Sequence, residues 1–226
     1  MTGKKYREKS ALVQVDKRYD APEAFNLLKQ LSTTKFDSTV DCAIRLGIDP
    51  RKTDQIVRGT VSLPNGTGQS IRVAVIAVAE NARQAKEAGA DIVGDDEFIA
   101  SIQKGEINFD LLISTPDMMA KVGRLGKVLG PRGLMPTPKA GTVTPDVARA
   151  VREFKAGKIE FKADKQGNVH TILGKISFSA EQLQQNFQVL FDAVKKAKPS
   201  SAKGIYIRSI SVSPTMGPSV ALATAE

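Results

Sequence analysis

The chain has 226 residues, 41% of them hydrophobic, with 33 Lys and Arg against 24 Asp and Glu and a formal net charge of +9. That length and apolar content support a globular protein of one large domain or two small ones, and the basic excess points to a polyanionic partner. A single cysteine, Cys42, excludes a disulfide framework and fits a reducing compartment, while the absence of Trp and an aromatic content of 5% weaken any surface built mainly on base stacking.

The opening "MTGKKYREKSALVQV" carries cations but no apolar run, so no secretory leader is expected, and no stretch approaches the roughly 20 apolar residues of a membrane helix. "DAPEAFNLLKQL" predicts a helix, with Asp20 and Glu23 at capping-box spacing and Ala24, Leu27, Leu28 and Leu31 on one apolar face. "STVDCAIRLGI" and "QIVRGTVSLP" read as strands joined by the turn-rich "DPRKTD". Cys42 is expected to be a buried, inert thiol.

After "NGTGQS" the pattern changes. "IRVAVIAV" (71–78) is almost continuously apolar and β-branched, as in a strand buried on both faces, and the short runs "DIVG" and "FDLLIS" (109–114) alternate with helical segments. Thr115–Pro116 and Thr144–Pro145 each place a hydroxyl before a proline, which predicts helix starts. Alternating strands and helices imply a parallel sheet in a three-layer α/β unit.

From Lys158 alternation resumes. "KIEFKAD", "KQGN" and "VHTILGKISF" predict a hairpin, and "SAEQLQQNFQVLFDAVKKAK" an amphipathic helix with Ser179 and Gln182 as a capping box and Leu183, Phe187, Leu190, Phe191 and Val194 inward. "GIYIRSISVS" closes as a strand. The expected architecture is α/β: a discontinuous α+β domain (1–66 and 158–226) with a helix-backed, antiparallel-rich sheet, interrupted by a Rossmann-like three-layer domain (67–157).

Charge supports that division. Residues 1–66 hold 12 cations and 8 anions and 158–226 hold 9 and 5, whereas 67–157 hold 12 and 11, so the split domain carries the polyanion site. The inserted block is polarised: 80–117 has 9 acids and 3 bases, 121–155 has 8 bases and 2 acids, and that basic end offers a second, weaker polyanion contact.

Enzyme signatures are thin. "GRLGKVLGPRGLMPTPKAGTVT" (123–144) has glycines and cations, but Lys127 is followed by Val128, so the hydroxyl that a P-loop sets on magnesium is missing, and no G-x-G-x-x-G occurs. Prolines 131, 136 and 138 make it an ordered basic loop, serving either surface recognition or a structural crossover. His170, the lone histidine, has no catalytic partner and reads as structural or surface. Asp95, Asp96 and Glu97 read as helix-dipole partners rather than as a cation site. No catalytic residue, metal or cofactor is expected. Phe36, after Lys35 at a helix–strand junction, either joins the core or lies under a ribose or base.

The blocks "KFDSTVD", "LGIDPRKTDQIVRGTVSLPNGTG", "LGKVLGPRGLMPTPKAGTVT", "KAGKIEF" and "TMGPS", in order between about residues 6 and 220, resemble the family of bacterial large-subunit ribosomal protein one, found on the mobile lateral stalk. The resemblance implies a nonenzymatic ribosomal, hence cytoplasmic, protein, monomeric outside the ribosome and away from membranes. It implies binding to large-subunit ribosomal RNA, contact with deacylated transfer RNA at the exit site, and repression through the leader of its own operon messenger. It implies RNA-binding roles for Lys35, Phe36, Thr39, Ser209, Thr215, Met216 and Gly217, with Lys165 in the "DKQGN" turn as a further member. Gly217 is expected to let the backbone approach RNA, Met216 to pack on ribose or base, and the hydroxyls of Ser209 and Thr215 to read 2′-OH groups. Two departures stand out: Pro214 precedes Thr215 where another hydroxyl residue is frequent, and Thr137 stands where asparagine is usual.

Overall fold

The computed structural model describes residues 3–14, 16–78 and 80–223. The chain divides into two units, one formed by residues up to Gly68 and from Ile159 onward, the other by Gln69–Lys158.

In the first unit the strand periodicity builds a four-stranded antiparallel sheet. Its strands are β1 (Thr39–Leu46), β7 (Asn168–Lys175), β8 (Ile207–Pro214) and β9 (Val220–Leu222), in the order β7-β1-β8-β9. On β1 the even residues Val40, Cys42, Ile44 and Leu46 are buried, and the odd residues Thr39, Asp41, Ala43 and Arg45 face out. Helices α2 (Ala21–Leu31) and α8 (Ala180–Lys196) cover the buried face, with Phe25, Leu28, Leu31, Leu183, Leu190 and Val194 joining one core. Burying some two dozen apolar side chains, each contributing about 1.5–3 kcal/mol, is what holds this unit against chain entropy. The opposite face carries Asp41, Ala43, Arg45, His170, Ile172, Ser209, Ser211 and Ser213, all exposed or only partly buried. A short helix α1 (Lys4–Ser10) precedes α2.

Three local expectations are corrected. Asp20 is the N-cap of α2 but its side chain makes no capping hydrogen bond, and Glu23 pairs instead with Lys17 at 2.6 Å, so no capping box forms there. At α8 the reciprocal Ser179–Gln182 box is present. Strand β6 (Lys158–Lys162) does not form a hairpin ladder with β7: it pairs with β2 (Arg58–Ser62) in a separate two-stranded sheet, and only the bridge Ala163–Val169 closes the turn. The side chains of Arg58 and Glu160 join across the β2–β6 pair. On α2, Phe25 is fully buried where Leu27 is only partly so.

The second unit has a parallel sheet, β4 (Ile92–Gly94), β3 (Val73–Ile76) and β5 (Leu111–Ser114) in the order β4-β3-β5. All four residues of β3 are buried because helices cover both faces. On one side Ala74, Ile76 and Leu112 meet α4 (Asp96–Gln103) and the helical run holding α5 (Met119–Val122) and α6 (Gly126–Leu129). On the other Val73, Val75 and Ile113 meet α3 (Glu80–Glu87) and α7 (Val147–Lys155). Asp95 caps α4, and Asp96 pairs with Lys121 at 2.7 Å, which agrees with reading this acidic run as structural. Asp146, not Thr144, caps α7; Thr144 instead accepts from the Asp146 N–H at 3.2 Å in a local turn. Thr115 makes no side-chain cap either, because the segment after it starts as a 3-10 turn at Pro116–Met118. None of the described helices is long and apolar enough to cross a membrane.

Candidate nucleic-acid interface

Two segments distant in sequence meet at one end of the four-stranded sheet. Antiparallel pairing sets Val40 opposite Pro214, so the loop before β1 and the turn after β8 leave the sheet side by side. Thr215 fastens them. Its backbone N–H donates to the Thr39 carbonyl at 2.9 Å, its hydroxyl donates to the same carbonyl at 3.1 Å, and the hydroxyl accepts from the Thr39 N–H at 3.1 Å. The Thr33 hydroxyl adds a longer contact to the Met216 carbonyl at 3.5 Å.

Phe36 and Met216 are 56% and 74% exposed, which is unusual for large apolar side chains, and Lys35 beside them is exposed without an ion pair among the described residues. The core alternative for Phe36 is therefore excluded. Met216 has φ +63°, the only non-glycine described with a positive value. It sits third in the turn Pro214–Gly217, closed by the Gly217 N–H donating to the Pro214 carbonyl at 2.9 Å, a position normally taken by Gly or Asn. A bulky residue held in such a conformation marks a site where the surroundings over-determine the backbone.

Gly217 differs from expectation in its reason. A Cβ there would stand 2.5 Å from the Pro214 ring and 3.2 Å from the Leu31 carbonyl, so the glycine serves close internal packing rather than approach to a ligand. Thr215 is also mostly occupied internally: its one proton goes to Thr39 and one lone pair accepts from Thr39, leaving a single acceptor for an incoming hydroxyl.

Ser209 lies elsewhere. It pairs with Arg45 six residues back along β8 from Thr215, about 20 Å away at strand rise, exposed and without a hydroxyl partner among the described residues. Asn168 pairs with Arg45 from the other side, and the turn at 164–167 that leads into it carries exposed Lys165. Lys35, Phe36, Thr39, Thr215, Met216 and Gly217 thus lie on the segments that meet at one end of the sheet, while Ser209 and the turn of Lys165 lie toward the other, on strands either side of β1. Ser211 and Ser213 stand between them on β8.

Sequence reasoning missed the residues that hold this end in place. Asp37 accepts from the Ser177 N–H at 3.1 Å and from its hydroxyl at 2.8 Å, pinning the loop of Phe36. Lys175 donates to the Thr39 hydroxyl at 3.0 Å. That reach depends on a bulge: the register slips between Val40 and Asp41, and Leu173 and Gly174 are buried in succession. No local pattern reveals contacts across about 140 residues of chain.

Electrostatics add little chemistry. Burial pushes the Cys42 thiol up to about 12, which keeps it protonated and inert. Partial desolvation raises the Asp41 carboxyl on the open face, opposed by Lys175 and His170. Backbone N–H donation from Asn168 holds Asp164 below its usual range and tightens the turn of Lys165; His170 stands 3.6 Å away. No group of three or more metal-ligating side chains occurs among the described residues.

A model of the ribosomal protein L1p/L10e family matches residues 28–218. The chain is 55% identical over 222 residues to large ribosomal subunit protein uL1 of Gemmatimonas aurantiaca, covering 98% of this chain and 96% of that protein. It is 54% identical over 217 residues to the uL1 of Thermobifida fusca, covering 96% and 92%, and 55% identical over 228 residues to that of Myxococcus xanthus, covering 100% and 96%.

Proposed function

The chain belongs to the ribosomal protein L1p/L10e family, and from that premise we propose that it is a nonenzymatic constituent of the large ribosomal subunit whose split unit binds large-subunit ribosomal RNA. In this reading it forms part of the lateral stalk, contacts deacylated transfer RNA at the exit site, and represses translation by binding the leader of its own operon messenger.

The supporting observation is that exposed Phe36 and exposed Met216 lie on two chain segments fastened together by the Thr39–Thr215 clasp. Two apolar side chains give ribose and base a stacking and packing surface, Lys35 meets phosphate, and the remaining acceptor of Thr215 meets a 2′-OH. Because the clasp exists before RNA arrives, little ordering free energy opposes binding. Ser209 and Lys165 extend the same open face to a second group of nucleotides. Messenger and ribosomal RNA compete for one surface, which makes repression responsive to the supply of ribosomal RNA.

The test is filter binding of the full chain to a large-subunit ribosomal RNA fragment carrying the stalk region, in competition with bulk transfer RNA. Met216→Asp, which sets an anion beside phosphates, is expected to weaken specific binding by about 2–3 kcal/mol, roughly a hundredfold. Wild-type affinity in that variant refutes the site.

A further inference from the structure

A lone acid stands in the four-stranded sheet of the first unit. Strands β1, β7, β8 and β9 carry Arg45, Lys175 and Arg208 but a single carboxylate, Asp41. It is exposed, on the face turned away from α2 and α8, two residues or about 7 Å along β1 from Thr39 and four residues from Arg45. Asp41 therefore lies between the end of the sheet that bears the Thr39–Thr215 clasp and the end that bears Ser209.

The other acids of this region are occupied. Asp37 accepts from the N–H and the hydroxyl of Ser177, and Asp164 accepts from the N–H groups of Gln166 and Asn168, each at 2.8 Å. The Asp41 carboxylate makes no hydrogen bond or ion pair among the described residues. The two cations that act on it are directed elsewhere: Lys175 donates to the Thr39 hydroxyl at 3.0 Å, and His170 faces Asp164 at 3.6 Å. Its backbone is fixed from both sides, opposite Ile172 of β7 and Ser213 of β8, and its carboxylate is already partly desolvated. A positioned acceptor with both oxygens free is left in the middle of the face.

An anion at the centre of such a face costs affinity wherever RNA is held by its phosphates alone. It favours binding only where the RNA presents donors, and the edges of unpaired bases do so through their amino and imino N–H groups. We propose that Asp41 is a specificity-determining residue that accepts two N–H donors from the edge of one unpaired base of the bound RNA. A 2′-OH offers a single donor, for which the hydroxyls of Ser211 and Ser213 on the adjacent strand suffice. Ile172, half-buried across the strand pair, gives the ring of that base an apolar seat. The inference rests on the RNA-binding reading of the first unit and adds selection to it: phosphates are turned away from this point, and only a base with adjacent donors replaces the water that the carboxylate gives up.

The test compares full-length wild type, Asp41→Asn and Asp41→Ala in filter binding to the stalk-region ribosomal RNA fragment and to a duplex RNA of unrelated sequence, with urea midpoints as the check on folding. Both variants are expected to keep the wild-type midpoint, to lose about tenfold to a hundredfold in affinity for the stalk fragment, the worth of a two-donor base contact, and to gain about twofold to fivefold on the duplex once the anion is gone. The asparagine variant decides between donors, because its one remaining acceptor still serves a single hydroxyl but not a two-donor edge. Retained stalk affinity in Asp41→Asn overturns the base contact. A gain on both RNAs overturns it in favour of plain phosphate repulsion, and an equal loss on both overturns it in favour of a structural role. Wild type that fails to prefer the stalk fragment over bulk transfer RNA brings down the RNA-binding reading and this inference with it, whereas preference kept by wild type and both variants brings down this inference alone.

Discussion

Met216 separates backbone strain from side-chain recognition. Holding an L residue at φ +63° costs about 1–2 kcal/mol, and glycine escapes that cost while losing about 0.5–1 kcal/mol more entropy on folding. Since 74% of Met216 is exposed, little packing is lost on truncation, so Met216→Gly should stabilise the first unit by about 0.5–1 kcal/mol. Met216→Ala retains the strain and should not. All three tyrosines, Tyr6, Tyr19 and Tyr206, lie in the first unit and Trp is absent, so tyrosine fluorescence during urea unfolding reports that unit alone. With a slope of about 2 kcal/mol/M the midpoint of the glycine variant should rise by about 0.3–0.5 M over that of the alanine variant. Both variants should lose roughly tenfold to a hundredfold in affinity for the stalk RNA fragment, the worth of a buried methionine side chain. A glycine variant no more stable than the alanine one refutes the strain; undiminished affinity in both refutes the side-chain contact.

Thr215→Val removes two hydrogen bonds of the clasp and leaves the Thr39 N–H without that partner, so the same fluorescence assay should show a loss of about 1–3 kcal/mol together with weaker RNA binding; a neutral result means the clasp is dispensable. Gly217→Ala should destabilise by about 1–3 kcal/mol, because the new methyl meets the Pro214 ring, and a crystal structure should show the turn displaced; a wild-type midpoint denies the close packing. Asp164 and Glu153 have depressed carboxyl pKa values, Asp164 from Asn168 backbone donation and Glu153 from Lys158 and Arg149. Their stabilisation is therefore present above the usual carboxylate values of 3.8 and 4.5 and lost as pH falls through the depressed ones. Asp164→Asn should flatten the acid limb of stability measured by urea midpoints between pH 5 and 2.5; an unaltered limb rules this carboxylate out as a contributor.

The apolar periods of the chain determined much by themselves. Alternation marked β1 and β8, continuous β-branched residues marked the doubly covered β3, and the spacing of Leu183, Phe187, Leu190 and Val194 marked the inner face of α8. These signals are local, because burial on one face imposes a period of 2 or 3.6 on neighbouring residues. The motif blocks around Phe36 and Met216 also named candidate residues before any geometry.

Only the tertiary structure decided partners. Local alternation cannot say that β6 pairs with β2 rather than β7, since a strand's face pattern is the same beside either neighbour. It cannot say that Thr215 spends its proton on Thr39, that Gly217 lies close against the Leu31 carbonyl, or that Asp37 and Lys175 secure the segment of Phe36 and Thr39, because those contacts close loops of well over 100 residues. Nor could it separate Ser209 from Met216, two residues close in the chain that an extended strand carries to opposite ends of one face.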